Sequence, residues 1–173
     1  MQIESSGILC SAKINSNKAC YTFSSFVSLK NGSILATARG GNNKDSEFEG
    51  IEFFRSDDEG ENWSESWEPF KNVEIDNLKG SLKLCYLTEI SDSHIIASLL
   101  WIDRSSIPGK ELFNADTEGC LPMKILLADS YDNGNTWSKL RKIQLPNDIG
   151  PPSLTNPIMK LPNGKLIMSI ENN

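Results

Sequence analysis

Two short stretches hold the side chains of this chain best suited to chemistry. One runs from Arg39 through GGNNKDSEFEG and sets Asp45, Glu47 and Glu49 behind a guanidinium. An arginine fork grips an anion through two parallel hydrogen bonds. A carboxyl group kept dry, with its pKa raised, can pass a proton to a leaving oxygen. The plain alternative for this stretch is an acidic, solvated loop. The second stretch is WIDRSSIPGKELFNADTEGCLP, Trp101 to Pro122. Its Asp103, Arg104 and Glu118 can exchange hydrogen bonds with a polyhydroxylated ligand, and Trp101 offers a stacking face. Its plain alternative is a surface loop tied down by salt bridges.

Other reactive residue types are poorly placed. The one histidine, His94, lies in the apolar run SHIIASLLW and reads as a strand residue. Cys10, Cys20, Cys85 and Cys120 fit no zinc spacing, so neither a metal nor a cofactor is expected. They read as free thiols, with a Cys10–Cys20 bridge left open. The net charge is −6 and no basic run occurs, which argues against nucleic acid and membrane as partners. No apolar stretch is long enough to span a bilayer, and no export signal is visible; a cytoplasmic location is the expectation.

The two chemical stretches need a scaffold, and the rest of the sequence reads as strands and turns. Runs rich in β-formers recur at 19–29, 33–39, 51–56, 72–75, 81–90, 93–102, 123–130, 138–145, 154–161 and 165–170. Asn31-Gly32 and Asn163-Gly164 stand between apolar flanks and predict hairpins with positive φ at both central positions. A third hairpin is expected around Ser91 to Ser93. Strand, tight turn, strand, variable segment, strand, turn, strand occurs twice and then restarts. That order predicts a repeated four-stranded antiparallel unit.

Both full units carry one octet, SDDEGENW at Ser56–Trp63 and SYDNGNTW at Ser130–Trp137. Ser56 matches Ser130, Asp58 matches Asp132, Gly60 matches Gly134 and Trp63 matches Trp137, while Asn62 stands where Thr136 stands. Tight-turn chemistry accounts for the set. The aspartate accepts backbone N–H bonds, the glycine takes positive φ without a steric cost, and the indole pins the turn. A calcium loop is ruled out by Tyr131 and Arg55, which occupy positions that would need acids or amides.

The pattern Ser-x-Asp-x-Gly-x-Thr-Trp resembles the Asp-box, or BNR, repeat of the sialidase-like β-propellers. The second octet matches fully and the first departs only at Asn62. The resemblance implies an all-β fold, a propeller of the six-bladed sialidase type, with about two and a half four-stranded blades in this chain. A single domain over 1–173 would form its N-terminal part, with blades at about 19–78 and 79–148 and a third starting at about 151–173. The octets would then be rim corners with a folding role.

The resemblance also aligns YTFSSF and ATARGGNNKDSEFEGIEFFRS with the first-blade segments that in sialidases carry an arginine and then the general acid/base aspartate. It implies Asp45 as acid/base. Arg39 and Glu49, with Asp103 and Arg104 of the long loop, are the expected substrate contacts. The arginine that grips the sialic acid carboxylate in that family is replaced here by Thr22. The family's tyrosine nucleophile has no counterpart, because Tyr131 lies in a rim turn and Tyr86 reads as core. The implied function is a sialidase-like glycoside hydrolase domain, exo-acting on a terminal sugar and inactive as this portion alone. The alternative is a non-catalytic Asp-box propeller that binds a glycan or a protein. A carbohydrate is the expected ligand. An open third unit leaves self-association as an expectation if the chain ends at Asn173.

Overall fold

The computed structural model describes residues 6–71, 73–146 and 149–172. Among these residues every regular element is a β-strand. The first sheet is β1 (Cys20–Ser28), β2 (Ile34–Gly41) and β3 (Gly50–Ser56), hydrogen-bonded in that order. Trp67 takes the fourth place by exchanging backbone bonds with Phe53. The second sheet is β4 (Glu74–Ile75), β5 (Leu78–Ser91), β6 (His94–Asp103), β7 (Met123–Ser130) and β8 (Arg141–Lys142), again in sequence order. A third unit is one hairpin in two pieces. Its β9 (Pro152–Leu154) pairs with β12 (Ile170–Asn172), and β10 (Met159–Lys160) with β11 (Leu166–Ile167).

Three details differ from the sequence expectation. The run 72–75 was expected to close the first unit; Asn72 lies outside the described residues, and Glu74–Ile75 instead folds onto β5 of the second sheet. Asp76 and Asn77 make this turn with φ of 55° and 63°, the two-residue hairpin geometry. The Asn-Gly hairpins need positive φ only at Gly32 and Gly164. Each closes a three-residue loop, in which Leu29 N–H bonds to Ser33 O and Asn31 Oδ1 accepts from Ser33 N–H at 3.0 Å. Lastly, the long runs 138–145 and 154–161 shrink to short pairings. Pro157, which has no N–H to give a ladder, lies in the break between β9 and β10. Residues 147 and 148, at the expected limit of the second blade, lie outside the described residues.

The β6 strand is buried along almost its whole length, so it is apolar on both faces. Ile95, Ala97, Leu99 and Trp101 pack with Leu35, Phe53 and Phe70 into a core between the first two sheets. Leu100 and Ile102 turn the other way and pack with Ile125 and Leu154, a residue of the third hairpin. Each buried aliphatic side chain contributes roughly 1.5–3 kcal/mol.

The two octets form the same hydrogen-bonded corner. Ser56 Oγ accepts from Gly60 N–H and donates to Asp58, and Asp58 accepts from Asn62 N–H and Nδ2. In the second corner Thr136 supplies its N–H and hydroxyl to Asp132 in the same way. Gly60 and Gly134 take φ of 94° and 84°. The second corner also grips the first sheet. The Trp137 ring lies 5.5 Å from Phe53 and 5.8 Å from Phe70, and Arg55 donates to Asn133 O. Because the corners follow β3 and β7, the loops that precede those strands lie at the opposite end of the sheets.

Candidate functional site

At that opposite end, loop 42–49 of the first sheet and loop 104–122 of the second meet the starts of β1 and β5. The cross-strand row Thr22, Arg39 and Ile51 sets Arg39 on the face toward the second sheet. Arg39 is fully buried. Its Nε donates to Glu49 Oε2 at 2.5 Å, Nη2 lies against the same oxygen, and Nη1 donates to Asn43 O and Thr22 Oγ1. Glu49 is buried as well, and its other oxygen accepts from Ser81 Oγ at 2.9 Å.

Two more cations close over this pair. The β5 strand slips register between Leu82 and Leu84, and the bulge aims Lys83 inward. Its Nζ donates to Lys44 O at 2.7 Å and to Asp45 Oδ1 at 3.3 Å, and lies 3.7 Å from Glu49. The Phe23 ring is 5.5 Å away. Phe23 holds φ of 52° in a second bulge, an uncommon conformation for a bulky residue. Arg104, just past β6, donates from Nε to Ser81 Oγ and from Nη2 to Asp45 at 2.8 Å and Glu49 at 3.3 Å. Its Nη1 is buried with no hydrogen-bond acceptor among the described residues.

Asp45 joins the two loops. Its Oδ1 receives Arg104 and Lys83, and its Oδ2 accepts the Leu112 N–H at 2.5 Å. Its side chain is 28% exposed, against 8% for Arg104, so Asp45 stands at the mouth of the cluster. Burial pushes its carboxyl pKa up. The Arg104 hydrogen bond, the Leu112 amide and the Lys83 charge outweigh burial and hold it below the ordinary value. That direction is opposite to the one a general acid needs. Lys83 is drawn below its usual value by burial and by the like charge of Arg39, against the pull of Glu49 and Asp45.

The remaining expected residues have other surroundings. Asp103 is buried, and its carboxylate accepts from the N–H and hydroxyl groups of both Ser105 and Ser106, so it turns the chain after β6. Trp101 offers no stacking face. It is fully buried, donates from Nε1 to Val73 O, and carries Lys124 over its ring. Glu47 and Glu118 are exposed. His94 bonds Asp129 and stacks on Tyr131 at the far, corner end. Among the described residues no three His, Cys, Asp or Glu side chains are grouped to hold a metal.

Sequence reasoning reached Arg39, Asp45, Glu49 and Arg104 but missed Lys83, Ser81 and Leu112. The available signal for Lys83 was a charge in the middle of SLKLCYL, an otherwise apolar inner strand. Nothing local marked Leu112, which contributes only a backbone N–H.

No family model matches the chain, and no curated protein matches it by sequence. Its fold has clear counterparts among solved structures. One is the NanB sialidase from Streptococcus pneumoniae, with TM-score 0.64 and 12% identity over 95% of this chain and 43% of that one. Another is the Trypanosoma rangeli sialidase in complex with sialic acid, with TM-score 0.52 and 13% identity over 79% and 22%. A third is a polysaccharide lyase, an ulvan lyase, with TM-score 0.51 and 16% identity over 77% and 30%. The fold is a β-propeller of the sialidase type, and the chain spans less than half the length of each of these neighbours.

Proposed function

We propose that the loop cluster recognises an acidic carbohydrate and that the chain is part of a glycan-binding propeller. The observation that carries this reading is the charge count. Among the described residues, Arg39, Lys83 and Arg104 form ion pairs with just two carboxylates, Asp45 and Glu49, and Arg104 keeps one buried donor unmatched. A ligand carboxylate supplies the missing acceptor and the missing negative charge. Arg104 and Lys83 donate to it, and Asp45 at the mouth accepts a ligand hydroxyl. Arg39 and Glu49 lie beneath and fix the positions of the others, and Asp103 holds the start of the loop that carries Arg104. Neighbours in fold that are described as sialidases and a polysaccharide lyase support a carbohydrate as the ligand.

Calorimetric titration of the chain with N-acetylneuraminate, glucuronate and neutral N-acetylglucosamine tests the reading. The acids are expected to bind more tightly than the neutral sugar. Arg104→Ala and Lys83→Met should each weaken acid binding by about ten-fold or more, the loss of a charge-assisted bond. Equal affinity for acidic and neutral sugars would overturn it.

Hydrolysis of a terminal sugar, with Asp45 as acid/base, is the second reading. It is favoured by the place of Asp45, a carboxylate at the mouth that faces both loops. It requires a proton on Asp45 that Arg104, Lys83 and Leu112 oppose. Turnover of aryl glycosides that disappears in Asp45→Ala would decide for hydrolysis; the binding reading expects none.

A further inference from the structure

We infer that Phe23 is the specificity wall of the loop cluster, and that the ligand is an acid carried on a sugar ring whose C–H groups pack against the Phe23 ring. This rests on the acidic-carbohydrate reading of the cluster and adds what the ligand must present besides its carboxylate.

Strand alternation alone would turn residue 23 away from the cluster. Tyr21 packs with Ala36 and Ala38, on the face of the first sheet opposite to the Thr22, Arg39 and Ile51 row. In a regular strand residue 23 would share the face of Tyr21. The pairing instead steps from Thr22–Arg39 to Ser25–Thr37, three residues of β1 against two of β2. At this bulge Phe23 takes φ of 52°, and its ring packs against the apolar group of Leu84, Leu100 and Ile102 in the second sheet.

The facing strand uses the same device. The pairing of β5 steps from Leu82–Trp101 to Leu84–Leu100, two residues against one, and the extra residue is Lys83. One ladder in each sheet is interrupted, and the two re-aimed side chains meet, with Lys83 Nζ 5.5 Å from the centre of the Phe23 ring. Positive φ at a bulky residue costs stability, and each bulge gives up regular ladder bonding. Packing the core would need neither. What the two interruptions achieve together is an aromatic ring set beside the charges, and bulges that re-aim side chains in this way gather next to active sites.

The wall is open to a ligand and continuous with the cluster. Phe23 is partly exposed, and its neighbour Thr22 accepts from Arg39 Nη1 through Oγ1. Trp101, expected to offer the stacking face, is fully buried, and Phe23 stands where such a face is needed. A pyranose acid matches this surface on two counts. Its carboxylate meets Arg104 and Lys83, and its ring C–H groups lie against the exposed part of the aromatic ring. An acyclic hydroxy acid offers the carboxylate without the ring.

Calorimetric titration with glucuronate and with glycolate, a small acyclic hydroxy acid, tests the inference on the unmodified chain, Phe23→Leu and Phe23→Tyr. Leucine keeps apolar bulk without a flat ring, and tyrosine keeps the ring. The unmodified chain should bind glucuronate about ten-fold or more tightly than glycolate. Phe23→Leu should weaken glucuronate by about five-fold or more and leave glycolate unchanged, whereas Phe23→Tyr should keep the tighter binding. In the unmodified chain, where no variant has to fold, nuclear Overhauser contacts should join the Phe23 ring protons to the C–H protons of bound glucuronate. Glucuronate affinity unchanged in Phe23→Leu would overturn the inference and leave the acid-binding reading standing. So would equal losses for both acids, or the absence of those contacts while glucuronate is bound. Failure of glucuronate to bind the unmodified chain would overturn both.

Discussion

Asp45 shows how the company of a side chain decides its chemistry. Its pKa is lowered in the folded chain, so its contribution to stability is present above the ordinary carboxylate value and fades as pH falls through the folded value. Stability of the unmodified chain should therefore drop on acidification through the range below about pH 4, and Asp45→Asn should flatten that part of the profile. A series of urea denaturations against pH would check this. Unchanged slopes would show that Arg104, Lys83 and Leu112 do not hold the charged form. Glu49 makes a different prediction. It is the buried counter-ion of Arg39, so Glu49→Gln strands a buried guanidinium and should cost about 3–5 kcal/mol in the same assay. At this scale the sequence was half legible. Arg39, Asp45 and Glu49 stood out because charged residues crowd one short loop. Lys83 was hidden because the bulge that turns it inward leaves no mark in residue type. The burial of Trp101 went unread because a large aromatic beside a loop looks the same in sequence whether it faces ligand or core.

The corners are the elements that the sequence announced most clearly. Serine, aspartate, glycine and tryptophan at fixed offsets leave few backbone solutions, and the two copies adopt the same one. Their settings differ, and that difference is testable. Gly134→Ala must place a methyl group against Leu35 of the neighbouring sheet as well as hold a positive φ, whereas Gly60→Ala meets only its own sheet at ordinary distances. The first should cost about 2–4 kcal/mol and the second about 1 kcal/mol in thermal or urea unfolding. Equal losses would mean that the second corner does not dock on the first sheet. Hairpin types were less legible. Asn-Gly predicts a turn, but the loop length that decides whether asparagine or only glycine takes positive φ depends on where the flanking ladders stop. The placement of Glu74–Ile75 was misread for a related reason. A strand two residues long carries too little pattern to reveal which sheet it joins.

At the largest scale, the described residues form two antiparallel blades and a hairpin of a third, arranged as in the sialidase propellers. Repetition made this architecture readable, because one motif occurring twice at matching places outweighs weak strand signals. Function was less readable. A fold hosts many chemistries, and the residues that choose among them come from loops whose meeting is a tertiary event. The cluster of Arg39, Lys83, Arg104, Asp45 and Glu49 draws on both sheets, and its spare positive charge emerges only when all five are counted together. The most direct measurement of the central claim is a two-dimensional NMR titration of the labelled chain with glucuronate. Binding at the cluster predicts saturable shifts of the Arg104 guanidinium and the Leu112 amide, absent with N-acetylglucosamine and lost in Arg104→Ala. Shifts confined to other surfaces, or persisting in Arg104→Ala, would contradict it.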